Sequence, residues 1–173
     1  MKKLIFVLFV VVFGVPSARA SYLLVLNVNG ISCTTVVADG ITQGVSLTSW
    51  DWGATTAISG SNGNEVLPGK LSLSQVVTAR ATDKCSPAYL SANLTGQILD
   101  TVTITQYAVI GGKPEAQMIV TLTNALLAKY SISGSTAANP VESLSWAFQK
   151  ICLNNVLNTT TACYNATTNQ PSD

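Results

Sequence analysis

A mainly β fold, an antiparallel barrel or two-sheet sandwich with one short flanking helix, follows from three observations. Apolar and polar residues alternate with period two through Val45–Trp50, Thr101–Tyr107, Met118–Leu122 and Leu144–Phe148. Turn signals stand between these runs, among them Asn29-Gly30, Asp39-Gly40, Gly111-Gly112 and the stretch Gly134 to Pro140. Only Ser86 to Gly96 carries the boundary signals of a helix. No repeat or interdomain linker interrupts the pattern, so residues 21–173 read as a single domain.

In chain order, Tyr22 to Val28 is an aliphatic and β-branched first strand. Val45 to Gly53 forms a second, carrying Trp50 and Trp52, with Gly69 to Leu73 answering it as a hairpin-like core. Between them, Ile58 to Pro68 holds Gly60, Asn62, Gly63, Asn64 and Pro68, a composition that predicts an exposed, extended loop. Beyond Leu73 the alternation changes phase at Ser74-Gln75, as at a β-bulge, into either Val76/Thr78 or Val77/Ala79. The helix takes Ser86 as N-cap, Pro87 at its first position and Leu90 and Leu94 as its apolar face. Residues 100 to 123 form a long hairpin with Val102 and Ile104 inward, and Leu126 to Ile132 is a further strand. Leu144, Trp146 and Phe148 begin a strand that Ile151 to Leu153 extends, Ala162 to Asn165 is a last strand, and Gln170 to Asp173 should fray.

The start of the chain has the form of a cleaved export signal. Lys2 and Lys3 precede the apolar run Leu4 to Val15, and Ala18-x-Ala20 offers a peptidase site, which makes Ser21 the new terminus. A dozen apolar residues are too few to cross a bilayer core of roughly 30 Å. The product is periplasmic or extracellular and free of the membrane. It carries six basic against eight acidic residues, a net charge of −2, with the bases scattered singly, which excludes a nucleic-acid-binding surface. Cys33, Cys85, Cys152 and Cys163 all lie in this exported part, and in an oxidising compartment they read as two disulfides. Antiparallel pairing of the strands on either side would bring Cys152 to Cys163, leaving Cys33 for Cys85; a loop of that size stabilises by roughly 2 to 3 kcal/mol.

The sequence offers little chemistry. With no histidine there is no Ser-His-Asp or Cys-His machinery and no His-ligated metal, and the cysteines lack zinc-knuckle spacing. Gly63 to Lys70 imitates a phosphate loop with a spacer one residue too long and Leu71 in place of the hydroxyl. Asn93, Asn158 and Asn165 begin glycosylation-like triplets, which a chain rich in Thr and Asn generates by chance. Paired carboxylates are the remaining enzymatic idea. Asp39, Asp51, Glu65, Asp83, Asp100, Glu115 and Glu142 almost all stand beside turns, and Asp51 between Trp50 and Trp52 is the foremost, since rings beside a carboxylate suit a sugar. The expectation is no catalytic residue, no cofactor and no metal.

Several stretches, in this order, resemble one family: Ser49-Trp-Asp-Trp-Gly53, Gly69-Lys-Leu-Ser-Leu73, Thr82-Asp-Lys-Cys-Ser-Pro87, Gly111-Gly112, Thr121-Leu-Thr123 and Glu142-Ser-Leu-Ser-Trp-Ala-Phe-Gln149. Over residues 22 to 168 the chain is similar to the haemolysin-coregulated protein, Hcp, the tube protein of bacterial type VI secretion. The resemblance implies an Hcp-like barrel, hexameric rings that stack into an expelled tube, effectors or other secretion components as partners, and no catalytic residues. The chain differs from the family in its signal peptide, its cysteines and a shortened final strand region. Few charges blunt its sheet edges, so a closed ring would use those edges and the loop of Ile58, Gly60, Asn62, Gly63, Asn64 and Pro68. The alternatives are a monomeric periplasmic or extracellular binding module on the same fold and a carboxylate-dependent hydrolase.

Overall fold

The computed structural model describes residues 21–172 apart from Thr34, Val36, Ala38, Asp39, Gly63 and Asn64, and describes only the backbone of Ser59, Ser61, Asn62, Glu65, Val66 and Pro68. The export signal at residues 1–20 and the carboxylate of Asp39 therefore lie outside the described residues.

The first strand, β1 (Ser21–Val28), is bordered by β2 (Val45–Leu47) and by β7 (Ile98–Ile110). After a kink at Thr48 the tryptophan strand continues as β3 (Ser49–Asp51), which leaves β1 and pairs with β6 (Val76–Ala81). Thr48 secures the kink by donating both its N–H and its hydroxyl to the Ala79 carbonyl, at 2.8 and 3.0 Å. Next to β6 lies β9 (Val141–Ala147), then β8 (Lys113–Ser133), which returns along β7. The antiparallel pairings thus close a circuit, and the barrel expected from the alternating runs is what forms. The partners of the tryptophan strand are corrected, however. Leu71 and Leu73 pair with Thr56 and Ala54 rather than with Val45 to Asp51, whose answering strands are β1 and β6.

At 21 residues, β8 is longer than the strand expected before residue 123. The separate strand predicted from Leu126 is its continuation. Asn124 sits at φ 48°, a left-handed conformation that Asn tolerates, and bends the strand so that its two halves take different neighbours. The second half pairs with β9; the first pairs with β10 (Lys150–Asn155). The break between β9 and β10 falls opposite this bend, where the Gln149 N–H donates to the Thr123 carbonyl at 3.1 Å. Ile151 to Leu153 therefore begins a new strand instead of extending β9. Beyond it come β11 (Thr160–Asn165) and β12 (Gln170–Ser172), a wing added to the sheet edge. The tail expected to fray is paired, Gln170 to Ser172 lying against Cys163 to Asn165, with the Tyr164 hydroxyl donating to Asn169 Oδ1 at 2.6 Å across the turn.

Helix α1 (Ser86–Thr95) rests on the barrel, but not on the expected face. Tyr89 and Ala92 are buried, whereas Leu90 and Leu94 are 40% and 76% exposed. Asn93 fixes the orientation by donating its amide to the Leu127 carbonyl on β8 at 2.8 Å. Cys85, not Ser86, occupies the N-cap; Asp83 Oδ1 accepts the Cys85 N–H at 2.7 Å while Ser86 reaches back to accept the Asp83 N–H at 3.0 Å. Gly96, at φ 62°, ends the helix in the left-handed conformation, with Gln97 donating back to the Ala92 carbonyl.

The core inside the circuit is built from Leu26, Val45, Val76, Val102, Ile104, Val120, Leu122, Leu127, Leu144 and Trp146, each essentially inaccessible. Trp146, rather than Trp50 or Trp52, is the central tryptophan. It meets Tyr89 edge-to-face with ring centroids 6.4 Å apart, and its indole N–H donates to Thr78 Oγ1 at 3.1 Å. On β6 the buried phase is Val76, Thr78 and Arg80; the phase change at Ser74-Gln75 marks the passage from one sheet to another instead of a bulge.

Candidate functional surface

Residues 54 to 73 do not form a loop. They make a separate two-stranded sheet, β4 (Ala54–Asn62) against β5 (Glu65–Leu73), with no ladder to the barrel. Gly60 and Pro68, which argued against a strand, are accommodated because the register slips twice, between Thr56 and Ile58 and between Ile58 and Gly60. Glycine and proline are tolerated at such bulges, where a ladder bond is already missing. Gly69 is required by close approach: a Cβ there would stand 2.9 Å from the Ala57 carbonyl oxygen. Of the predicted contact residues, Ile58 projects at 72% exposure, Gly60 has open space around it, and Gly63 and Asn64 are outside the described residues. Leu67, opposite Gly60, is also exposed. At its base the hairpin is tied to the barrel's entry strand. The Ser74 hydroxyl donates to the Gly53 carbonyl at 3.0 Å and accepts its N–H at 2.9 Å, while the Trp52 indole donates to the Ser74 carbonyl at 3.1 Å.

The carboxylates are dispersed. Asp51 faces solvent while Trp50 and Trp52 pack toward the core, so the rings do not flank it. Asp100 and Glu115 are exposed on β7 and at the start of β8. Glu142, read among carboxylates beside turns, and Arg80, read among singly scattered bases, prove to be core residues. Both are buried, face each other across β6 and β9, and join Nη1 to Oε1 at 2.7 Å. The Tyr130 hydroxyl donates to the second Glu142 oxygen at 2.7 Å, and Arg80 Nη2 bridges to Asp83, the residue that receives the helix entry. The guanidinium also lies over the Tyr89 ring, 5.2 Å from its centroid. Burial pushes the Tyr89 hydroxyl up to about 12, with Asp83 and Glu142 adding to the rise and Arg80 opposing it. Tyr130 is likewise pushed up to about 12, first by burial and then by its bond to Glu142. Sequence reasoning missed this network, although a signal was available: Val76/Thr78/Arg80 and Glu142/Leu144/Trp146 each place a charge in phase with a core-facing run.

Two disulfides complete the frame, Cys33 to Cys85 and Cys152 to Cys163, in the pairing expected from the strands. The first anchors the segment after β1 to the helix entry; the second spans β10 and β11. Among the described residues no group of three Cys, Asp or Glu side chains converges as a metal site would require, and no helix is long and apolar enough to cross a membrane.

A closed antiparallel barrel, a clamped helix, a buried ion-pair network that holds strands to helix, and a projecting hairpin place the protein in the class of antiparallel β-barrels with one flanking helix. Comparison with protein families agrees: the family "Type VI secretion system effector, Hcp" matches residues 25–154. The chain belongs to the Hcp family, the structural tube proteins of type VI secretion. Its fold is shared with Hcp1 from Salmonella typhimurium, at TM-score 0.72 and 20% identity over 87% of this chain and 99% of that one. A type VI secretion system effector from Yersinia pestis matches at TM-score 0.64 and 20% identity, over 83% and 99% of the two chains. The secreted protein Hcp3 from Pseudomonas aeruginosa matches at TM-score 0.62 and 16% identity, over 84% and 99%. No curated relative matches at a significant level.

Proposed function

We propose that the chain is exported, cleaved after Ala20, and assembles as closed hexameric rings that stack into a tube, with the β4–β5 hairpin and the sheet edges as subunit contacts. The observation that carries this is the hairpin itself. Its two strands pair with each other and, among the described residues, with no strand of the barrel, and it exposes Ile58 and Leu67. Unpaired edges persist only when blunted or covered; the sparsely charged β7 and β8 are themselves covered within the chain, by β1 and β10, which leaves the hairpin to carry the argument. A contact between two different surfaces, when it closes, generates a ring. The lumen of such a ring is the place for a secreted effector, and no step of this role needs a catalytic group or a cofactor.

Sedimentation velocity on wild type and Ile58→Asp tests the contact. The wild type should sediment as a ring and the variant as a monomer with unchanged far-UV circular dichroism; a variant that keeps the ring removes the hairpin from the interface. A second reading, a monomeric binding module, is favoured by one feature, an apolar depression of about 180 Å³ lined by Trp52, Ile151, Leu153, Ala162 and Tyr164. It becomes the better reading if the wild type is a monomer.

A further inference from the structure

The two disulfides occupy unlike surroundings. Cys85 is fully buried at the helix entry, and Cys33, half-buried, packs against the same core. Cys152 and Cys163 face each other across β10 and β11, half-buried, on the side of the sheet opposite the buried Ile151. Their row continues into Thr121 on β8 and Thr103 on β7, a polar surface rather than an apolar cover. The segment they hold is weakly held otherwise. Strand β11 pairs only with β10 and β12, β12 only with β11, and no residue from Val156 to Ser172 is buried. Tyr164 is the one side chain of that segment packed against the core.

We propose that the Cys152–Cys163 bond is a reducible clasp, open to a small dithiol or a dithiol protein, whose reduction releases β11 and β12 and bares the outer edge of β10 while the barrel stays folded. Thiol–disulfide exchange requires access for the attacking thiolate, and what separates the two bonds is that one has a fully buried sulfur partner, Cys85, while both cysteines of the other are half-buried. A reductant thiolate attacks one sulfur, the S–S bond breaks, and the other cysteine leaves as a thiolate that takes up a proton. The second thiol of the reductant then displaces the first cysteine. The pair has gained two electrons and two protons, and the reductant leaves as its own disulfide. Once opened, the wing loses the covalent tie at the middle of β11 and is left with backbone pairing to a single strand; an edge like that of β10 is of the kind that recruits another strand.

The test is limited reduction of the purified oxidised protein with dithiothreitol, quenched by alkylation and read by peptide mapping beside hydrogen exchange. Cys152 and Cys163 should be alkylated at least tenfold faster than Cys33 and Cys85. In the partly reduced protein the amides of Thr160 to Asn165 should exchange at least tenfold faster, with those of Val102 to Thr105 unchanged. A Cys152→Ser, Cys163→Ser double variant, which needs no reductant, should show the same exchange pattern. Equal or reversed labelling of the two bonds overturns the proposal, and so does faster labelling of Cys152 and Cys163 with no change in β11 exchange.

Discussion

Removing the Glu142 carboxylate should be among the most damaging single changes in this barrel. Glu142 is 0% exposed and accepts two short bonds, from Arg80 Nη1 and from the Tyr130 hydroxyl, each at 2.7 Å. In Glu142→Ala the Arg80 guanidinium, 1% exposed and with its Nε already lacking a partner, keeps as counter-charge Asp83, whose side chain is 31% exposed, and the face of the Tyr89 ring. Breaking a buried pair by removing one partner costs about 3 to 5 kcal/mol, because the remaining charge stays desolvated. Replacing both partners with apolar residues of similar volume avoids that penalty, so Arg80→Met with Glu142→Leu should be less destabilised than Glu142→Ala by about 2 kcal/mol or more. Urea unfolding with the disulfides intact measures both. With a slope of roughly 2 kcal/mol per molar urea, the single variant's midpoint should fall by about 2 M. A loss below about 1 kcal/mol in Glu142→Ala, or a double variant less stable than the single, would refute the view that this pair is a fully desolvated tie between β6 and β9.

Raising the pH should cost stability through Tyr89. Its folded value of about 12 lies above the ordinary 10, so the protonated ring is favoured in the fold; stability is complete below pH 10 and is lost as pH climbs toward 12, by roughly 2 to 3 kcal/mol. Tyr130, raised to the same value, adds to the slope, so Tyr89→Phe should flatten about half of it in urea titrations at pH 9 to 12, and an unchanged slope would show that Tyr89 does not contribute. Gly44→Ala should destabilise by at least about 2 kcal/mol, since Gly44 sits at φ +103° and a Cβ there would lie 2.7 Å from the Leu26 carbonyl oxygen. Gly60→Ala, with open space around it, should melt within a degree or two of wild type. Leu94→Lys on the exposed face of α1 should change stability by less than about 0.5 kcal/mol, whereas Tyr89→Ala on the buried face should cost about 3 kcal/mol or more, read by the same urea transitions.

The fold was legible where local pattern and final environment coincide. Thr101 to Tyr107 alternates because one face of β7 meets the core and the other does not, and Val102 and Ile104 are inward as read. The Cys152–Cys163 pairing followed from strand direction alone. The helix face was not legible in the same way: in ten residues, Leu90/Leu94 and Tyr89/Ala92 offer two stripes of similar strength. The Trp146 ring and the Asn93 bond to β8, both distant in sequence, decide between them. Arg80 and Glu142 are separated by 62 positions, so each looked like a lone surface charge. The hairpin β4–β5 was hidden by Gly60, Gly63 and Pro68, residues that rule out a core strand but not a bulged strand outside the barrel. The change of partner along β8 depends on a single left-handed Asn124, a choice that alternation cannot announce.

Native mass spectrometry of the oxidised mature protein at tens of micromolar tests the central claim most directly. The proposed ring predicts a closed oligomer of six copies, each with the mass of a chain beginning at Ser21 and carrying two disulfides. A clean monomer under those conditions would contradict it.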